Sequence, residues 1–323
     1  MCESADELNQ KCLETLKGLQ LEDYVIVIGS GPSKPFVPAI EQLQEDLCIE
    51  CGIDKLDNEE FWDLAERAYN EDQNAYYDVI KKGYGKIAHK LADIYPHILM
   101  LPCAGFITFN YDNQIPEVCY RQKTGEFTIY PPRKLSLLES GGKEGCVAGY
   151  HSAAAFFTKR KPTPILAIHG CFDENNPEWH TEVILKRSDY DKHYTMSGSN
   201  ILFEWWRNLL PLAPCIFIGT SLREPGLARV IEDLKVNLRS GVTEPRHIHL
   251  LPVEIIPDNH EYPPPTLTFD YIQQVFYDPK DKEHSGLYDV IQKLERSHRP
   301  VAKLSQLGPR PLDDDEHFTG GNL

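Results

Sequence analysis

Apolar residues along this chain gather in short unbroken runs that stop abruptly at polar or glycine-bearing segments. Tyr24-Val-Ile-Val-Ile28 ends at Gly29, and Gly105-Phe-Ile-Thr-Phe109 ends at Asn110. Pro164-Ile-Leu-Ala-Ile168 ends at His169, and Ala213-Pro-Cys-Ile-Phe-Ile218 ends at Gly219. A strand covered on both faces loses the in/out alternation of a half-exposed one, so these runs predict interior strands of a parallel sheet. Arg246–Val253 reads as another strand, and Val275–Asp278 as a last short one. In the former, His247 and His249 alternate with apolar residues, which predicts that they share an exposed face.

Between the runs the spacing turns helical. Leu8, Cys12, Leu13, Leu16 and Leu19 mark an amphipathic helix within residues 3–20, and Val37–Leu47, with Pro38 suited to a first turn, predicts a helix fed by the glycine loop. From Asn58 to Tyr95 the pattern is helical and aromatic, and Phe61, Trp62, Tyr69, Tyr76, Tyr77 and Tyr84 are assigned to the core of a helical insertion. Ser188 opens a helical stretch through Trp206, Gly226–Leu238 a further one, and His284–Leu294 the last. Residues 121–163, punctuated by Pro131-Pro132, Gly141-Gly142 and Lys159–Lys161, with candidate short strands between, predict exposed hairpins or loops. The tail from 307, rich in Pro, Gly and Asp, predicts disorder.

The candidate chemistry sits at the ends of the runs, where open α/β sheets bind their ligands. Gly29 and Gly31 let a ligand approach the backbone, and Ser30 and Ser33 add hydroxyl donors for phosphate oxygens. The third glycine of the dehydrogenase fingerprint is replaced by Lys34, so the hydride-transfer version of the motif is missing. Asn110 and Asp112 follow the second run. His169 follows the third and suits proton transfer near neutral pH. Gly219, Thr220 and Ser221 form a second loop able to bond a ribose or phosphate.

Composition narrows the function. The 323 residues, 41% of them hydrophobic, suffice for one large α/β domain or two smaller ones. A formal net charge of -16 repels a phosphate backbone, so no direct nucleic-acid binding is expected, while backbone N–H groups can still hold a small anionic ligand. Nine scattered cysteines, with Asp, Glu and Lys interrupting Met1–Gln20, read as a reducing cytoplasm without a signal peptide. No apolar stretch has the length of a membrane span. Cys48 and Cys51 lack a second pair at useful spacing, so no metal is assigned.

Six blocks in order carry a resemblance: Gly-Ser-Gly-Pro-Ser at 29–33, Thr-Phe-Asn-Tyr-Asp at 108–112, Ile-His-Gly at 168–170, Ser-Asp-Tyr at 188–190, Phe-Ile-Gly-Thr-Ser-Leu-Arg-Glu-Pro at 217–225 and His-Ser-Gly-Leu at 284–287. Together they resemble the sirtuin-like superfamily, and more closely the prokaryotic sirtuin-like NAD hydrolases of anti-phage defence. The resemblance spans about residues 20 to 295. It implies an α/β, doubly wound, Rossmann-like and mostly parallel sheet with a smaller, mainly helical insertion. The implied organisation is an N-terminal helix at 1–20, a sirtuin-like NAD-binding catalytic domain at 21–306 and an acidic tail at 307–323. Within the domain, the insertion falls at about 41–100 and the loop or hairpin region at about 121–163.

For the site, the resemblance implies that Gly29, Ser30, Gly31 and Ser33 wrap the pyrophosphate, and that Gly219, Thr220 and Ser221 contact the adenosine half. Asn110 then positions water or ribose, Asp112 faces the carboxamide, and His169 is the catalytic histidine. Departures from the deacylase pattern bear on the reaction. The four-cysteine zinc module has no counterpart between Gly170 and Leu222, which contain Cys171 and Cys215 alone. The glutamine expected before the site asparagine is Phe109, and Lys34-Pro-Phe-Val-Pro38 replaces the Pro-Asp-Phe-Arg segment. These point to a cytoplasmic NAD hydrolase (NADase) that takes NAD as substrate and needs no metal, acting as an anti-phage effector. Its restraint is expected from homo-oligomer formation or a regulatory partner such as a HerA-like ATPase or an Argonaute-type module. An NAD-dependent deacylase or ADP-ribosyl transferase, and a non-catalytic nucleotide-sensing assembly subunit, are the alternatives.

Overall fold

The computed structural model describes residues 4–33, 36–38, 40–85, 91–122, 127–130, 163–170, 183–194, 201–222, 224–237, 247–253, 271–281 and 283–298. Seven strands among them form one sheet: β1 Val25–Ile28, β2 Gly105–Thr108, β3 Phe127–Tyr130, β4 Thr163–Ala167, β5 Cys215–Ile218, β6 His247–Pro252 and β7 Ile272–Tyr277. The order is β3-β4-β2-β1-β5-β6-β7, and every pairing is parallel. From β1 the chain passes to β2 on one side, and later to β5 on the other. That reversal opens a crevice beyond the carboxyl ends of β1 and β5, the place where doubly wound sheets bind ligands.

The unbroken apolar runs have a direct structural cause. Val25 and Val27 enter one core with Ile107, Leu166 and Phe217, under helices α7 Arg187–Tyr194, α8 Ile201–Leu212 and α9 Pro225–Asn237. Ile26 and Ile28 enter a second core with Phe106, Ile165 and Ile216, under α1 Ala5–Lys17, α5 Ile94–Leu99 and α10 Ser285–His298. All four β1 side chains are fully buried. At about 1.5–3 kcal/mol per buried aliphatic side chain, this anchors the glycine loop by several times the worth of any one hydrogen bond at the site. The α1 helix starts on a capping box between Ser4 and Glu7, and its Asn9 bonds both the N–H and the carbonyl of Asp278 beyond β7.

A third core belongs to α2 Ile40–Cys51, α3 Phe61–Glu71 and α4 Gln73–Tyr84, and includes Leu47, Leu64, Tyr76 and Ile80. The α5 helix packs on the sheet instead, through Tyr95 and Ile98. A short helix α6, Gln114–Gln122, follows β2.

Three expectations need correction. His247 and His249 are buried, because β6 is covered on both faces, with His247 through Leu251 all buried. Their rings satisfy backbone instead: His247 Nδ1 accepts from the Cys215 N–H at 3.0 Å, and His249 Nε2 lies 2.7 Å from the Thr220 carbonyl. Within 121–163, the described strand β3 lies at the sheet edge and pairs in parallel with β4, which a hairpin arm would not. The glycine loop does not run straight into a helix: Gly31–Ser33 form a short 3-10 turn, and α2 begins at Ile40. The tail from 307 and Cys171 lie outside the described residues. None of the described helices is long and apolar enough to cross a membrane.

Candidate functional site

A cavity of about 720 Å³ lies at the β1/β5 crevice. Of the sequence-predicted residues, Gly29, Ser30, Gly31, Asn110, Asp112, His169, Gly219, Thr220 and Ser221 line it. Four strand ends bring them there.

The floor is built by two loops in close contact. The Gly31 N–H donates to the Gly219 carbonyl at 2.9 Å, and a Cβ on Gly31 would fall 2.7 Å from the Gly219 Cα. A Cβ on Gly29 would meet the Gly219 carbonyl oxygen at 2.5 Å. Glycine is required here by the approach of one backbone to another. Gly219 itself has φ +65, and Leu222, fully buried, has φ 57. A left-handed leucine is strained, and such strain persists where the surroundings fix a loop's course.

Ser33 sits behind the cavity wall rather than in it. It is fully buried, and its hydroxyl donates to Asp112 Oδ2 at 2.8 Å, accepts from Asn110 Nδ2 at 3.1 Å and lies 2.5 Å from the Tyr95 hydroxyl. Asn110 Nδ2 also donates to the Tyr95 oxygen at 2.9 Å. Both amide protons of Asn110 are thus committed, which fixes the side chain's orientation. Its Oδ1 is buried and has no partner among the described residues. An unsatisfied buried acceptor is costly, and here it is an empty place for a donor such as a water or ribose hydroxyl. Asp112 Oδ1 accepts from the Gln114 N–H at 3.0 Å, at the start of α6. Burial raises the Asp112 pKa from 3.8 to about 6, against the pull of those two hydrogen bonds.

His169 leaves β4 into a ring of aromatics. Phe109 and Tyr190 lie 5.1 and 5.4 Å from its ring, and the Tyr194 hydroxyl is 2.9 Å from Nε2. Burial lowers its pKa to about 3, with nearby His193 adding to the shift, so the imidazole is neutral at pH 7 and, as it stands, a weak base. Gly226 makes room for this arrangement, since a Cβ there would run into the Tyr194 ring.

The α7 helix that supplies Tyr190 and Tyr194 is tied at its other end to the insertion. Arg187 pairs with Glu60 and with both oxygens of Asp63, and the Ser188 N–H donates to Glu66 Oε2 at 2.9 Å. Trp62 packs 4.8 Å from Tyr190. Trp62 and Tyr84, assigned by pattern to the insertion core alone, also line the cavity. Sequence reasoning missed Tyr95, Tyr194 and Glu224 as well. Glu224 lines the cavity and was contained in the Arg-Glu-Pro block, where it read as a helix start.

Among the described residues, no group of three or more His, Cys, Asp or Glu could hold a metal ion.

No curated protein matches the chain. Residues 104–263 match the family model of the SIR2-like domain. That span runs from β2 through β6 and contains Asn110, Asp112, His169 and the Gly219–Ser221 loop, all of which line the cavity. Over these residues the chain is similar to the SIR2-like domain, in agreement with the resemblance to the sirtuin-like superfamily.

Proposed function

We propose that the chain is an NAD glycohydrolase that cleaves NAD to nicotinamide and ADP-ribose. The observation that carries this reading is the pairing, in one cavity at the β1/β5 crevice, of an unpartnered Asn110 Oδ1 with a neutral, buried His169. Asn110 holds a water or ribose hydroxyl in place. The C1′–nicotinamide bond breaks with its electron pair leaving on the ring nitrogen, which was cationic and needs no acid. Water then bonds to C1′, and His169 takes the proton it sheds. Orientation and a positioned base are the two contributions required of the protein.

Hydrolysis is favoured over acyl transfer from lysine to ADP-ribose because Phe109, at the cavity wall, offers no polar group where the deacylase glutamine would stand. The resemblance to anti-phage NAD hydrolases extends the proposal to a defence effector in the cytoplasm that depletes NAD, held in check by self-association or by a partner such as a HerA-like ATPase or Argonaute-type module.

The test is chromatography of products after incubating purified protein with NAD, with and without an acyl-lysine peptide, beside Asn110→Ala and His169→Ala. Nicotinamide and ADP-ribose should form without peptide and disappear in both variants. Turnover that needs the peptide would make the protein a deacylase. NAD binding without turnover in any sample would favour the sensor reading.

A further inference from the structure

A half-buried carboxylate stands beside the candidate base. Glu224 Oε1 lies 3.6 Å from His169 Nε2, and the Glu224 side chain is 12% exposed. Two backbone donors at the start of α9 fix it: Gly226 N–H to Oε1 at 3.1 Å and Leu227 N–H to Oε2 at 2.7 Å. Tyr190 adds a side-chain hydrogen bond. The carboxylate therefore cannot turn away from the imidazole without giving up the helix cap.

As an ordinary N-cap, Glu224 would be an odd choice. Serine, threonine, aspartate or asparagine cap helices with a shorter reach, and a cap is normally solvated. This one lines the cavity, and burial lifts its pKa from 4.5 to about 7. Such a cost is repaid where a second charge develops nearby. His169 supplies that charge: buried among aromatics it holds a proton poorly, so a base at this position gains from a counter-charge as it becomes imidazolium. The other titratable groups facing the pair are Tyr111, Tyr190 and Tyr194, whose pKa values are all raised, so they stay neutral, and His193, which repels a proton on His169. Glu224 is thus the carboxyl group whose ionised form stands beside His169, 3.6 Å from Nε2, placed to stabilise its protonated state.

We infer that Glu224 is a positioning residue for His169: its carboxylate, held by the first turn of α9, orients the imidazole and stabilises the imidazolium formed when His169 takes a proton. The inference rests on the NAD hydrolase reading for its catalytic consequence, but not for the coupling between the two side chains.

Both parts are tested on the full chain with Glu224→Gln, which keeps an oxygen for the cap and removes the charge, and with Glu224→Asp, which keeps charge and cap. Nitrogen-15 NMR of the His169 ring, assigned by its loss in His169→Ala, should show a tautomer balance or titration that moves in Glu224→Gln and moves back in Glu224→Asp. With NAD, kcat of Glu224→Gln should fall about 100-fold or more while the NAD Kd stays within about threefold. The acid limb of its pH–kcat profile should shift as well. Ring-nitrogen signals identical in wild type and Glu224→Gln would overturn the inference. So would a loss traced wholly to unfolding by thermal melts and not restored in Glu224→Asp. A moved His169 signal in a protein that never cleaves NAD would leave the coupling standing and remove the hydrolase reading.

Discussion

Asp112 offers a measurable signature of a site held against its own stability. Its pKa is about 6 in the fold against 3.8 when solvated. Below pH 3.8 the group is protonated in both folded and unfolded chains and costs nothing. Because the folded value is raised, its stabilising contribution is full at low pH and is lost as pH climbs through 6. About two pKa units correspond to roughly 3 kcal/mol lost by neutral pH. Asp112→Asn removes the titration. The variant's amide oxygen can accept from Ser33 or from the Gln114 N–H, so about one hydrogen bond worth ~1 kcal/mol is forfeited, at every pH alike. That constant cancels when two pH values are compared. Glu224, His169 and His249 are also shifted, but both proteins carry them, so their effects cancel too. In urea unfolding from about pH 4 to about pH 8, the stability of Asp112→Asn relative to wild type should rise by about 2.4 kcal/mol, the first ~0.5 kcal/mol having gone by pH 4. A gap that stays flat, or one that moves in favour of wild type as pH rises, would refute the claim that the fold forces this carboxylate into an unfavourable place.

Gly31→Ala sets a Cβ 2.7 Å from the Gly219 Cα, so one of the two loops must shift. Thermal melts should show about 1–3 kcal/mol of destabilisation and no stabilisation by added NAD; a melt that still rises with NAD would count against the two-loop floor. His247→Leu removes the acceptor of the buried Cys215 N–H and should cost about 1–3 kcal/mol in urea unfolding, with the NAD Kd unchanged; a neutral result would mean that the N–H finds another partner.

Much of the sheet was legible in the chain because its central strands are covered on both faces, and four-residue β-branched or aromatic runs have few other uses. The edge strand β3 was legible only as one of several candidate short strands, and its parallel pairing was not, since a short strand within a proline- and glycine-marked segment resembles one arm of a hairpin. His247 and His249 misled for a physical reason. Alternation normally signals a solvated face, yet a polar ring can replace an apolar one inside a sheet when a neighbouring backbone group needs a partner. The site was legible where strands end, at Asn110, Asp112 and His169. Ser33 was placed in the right loop, but which way a hydroxyl points is decided by tertiary partners, here Asp112, Asn110 and Tyr95. Tyr194 and Glu224 were beyond reach because they meet His169 only through the crossing of α7 and α9, which no local pattern encodes.

The α7 helix is 8 residues long, about 12 Å from end to end, too short to bend without breaking its hydrogen bonds. One end is clamped by charges at the protein surface, on Glu60, Asp63 and Glu66 of the insertion; the other rests a hydroxyl on the imidazole. It behaves as a rigid beam between two bearings of unlike kind. The outer bearing, with Arg187 31% and Glu60 63% exposed, is softened by dissolved ions, whereas the inner one is sealed from them. Ionic strength therefore bears on the outer anchor of the helix that carries Tyr190 and Tyr194, and leaves the hydroxyl contact at its inner end unscreened.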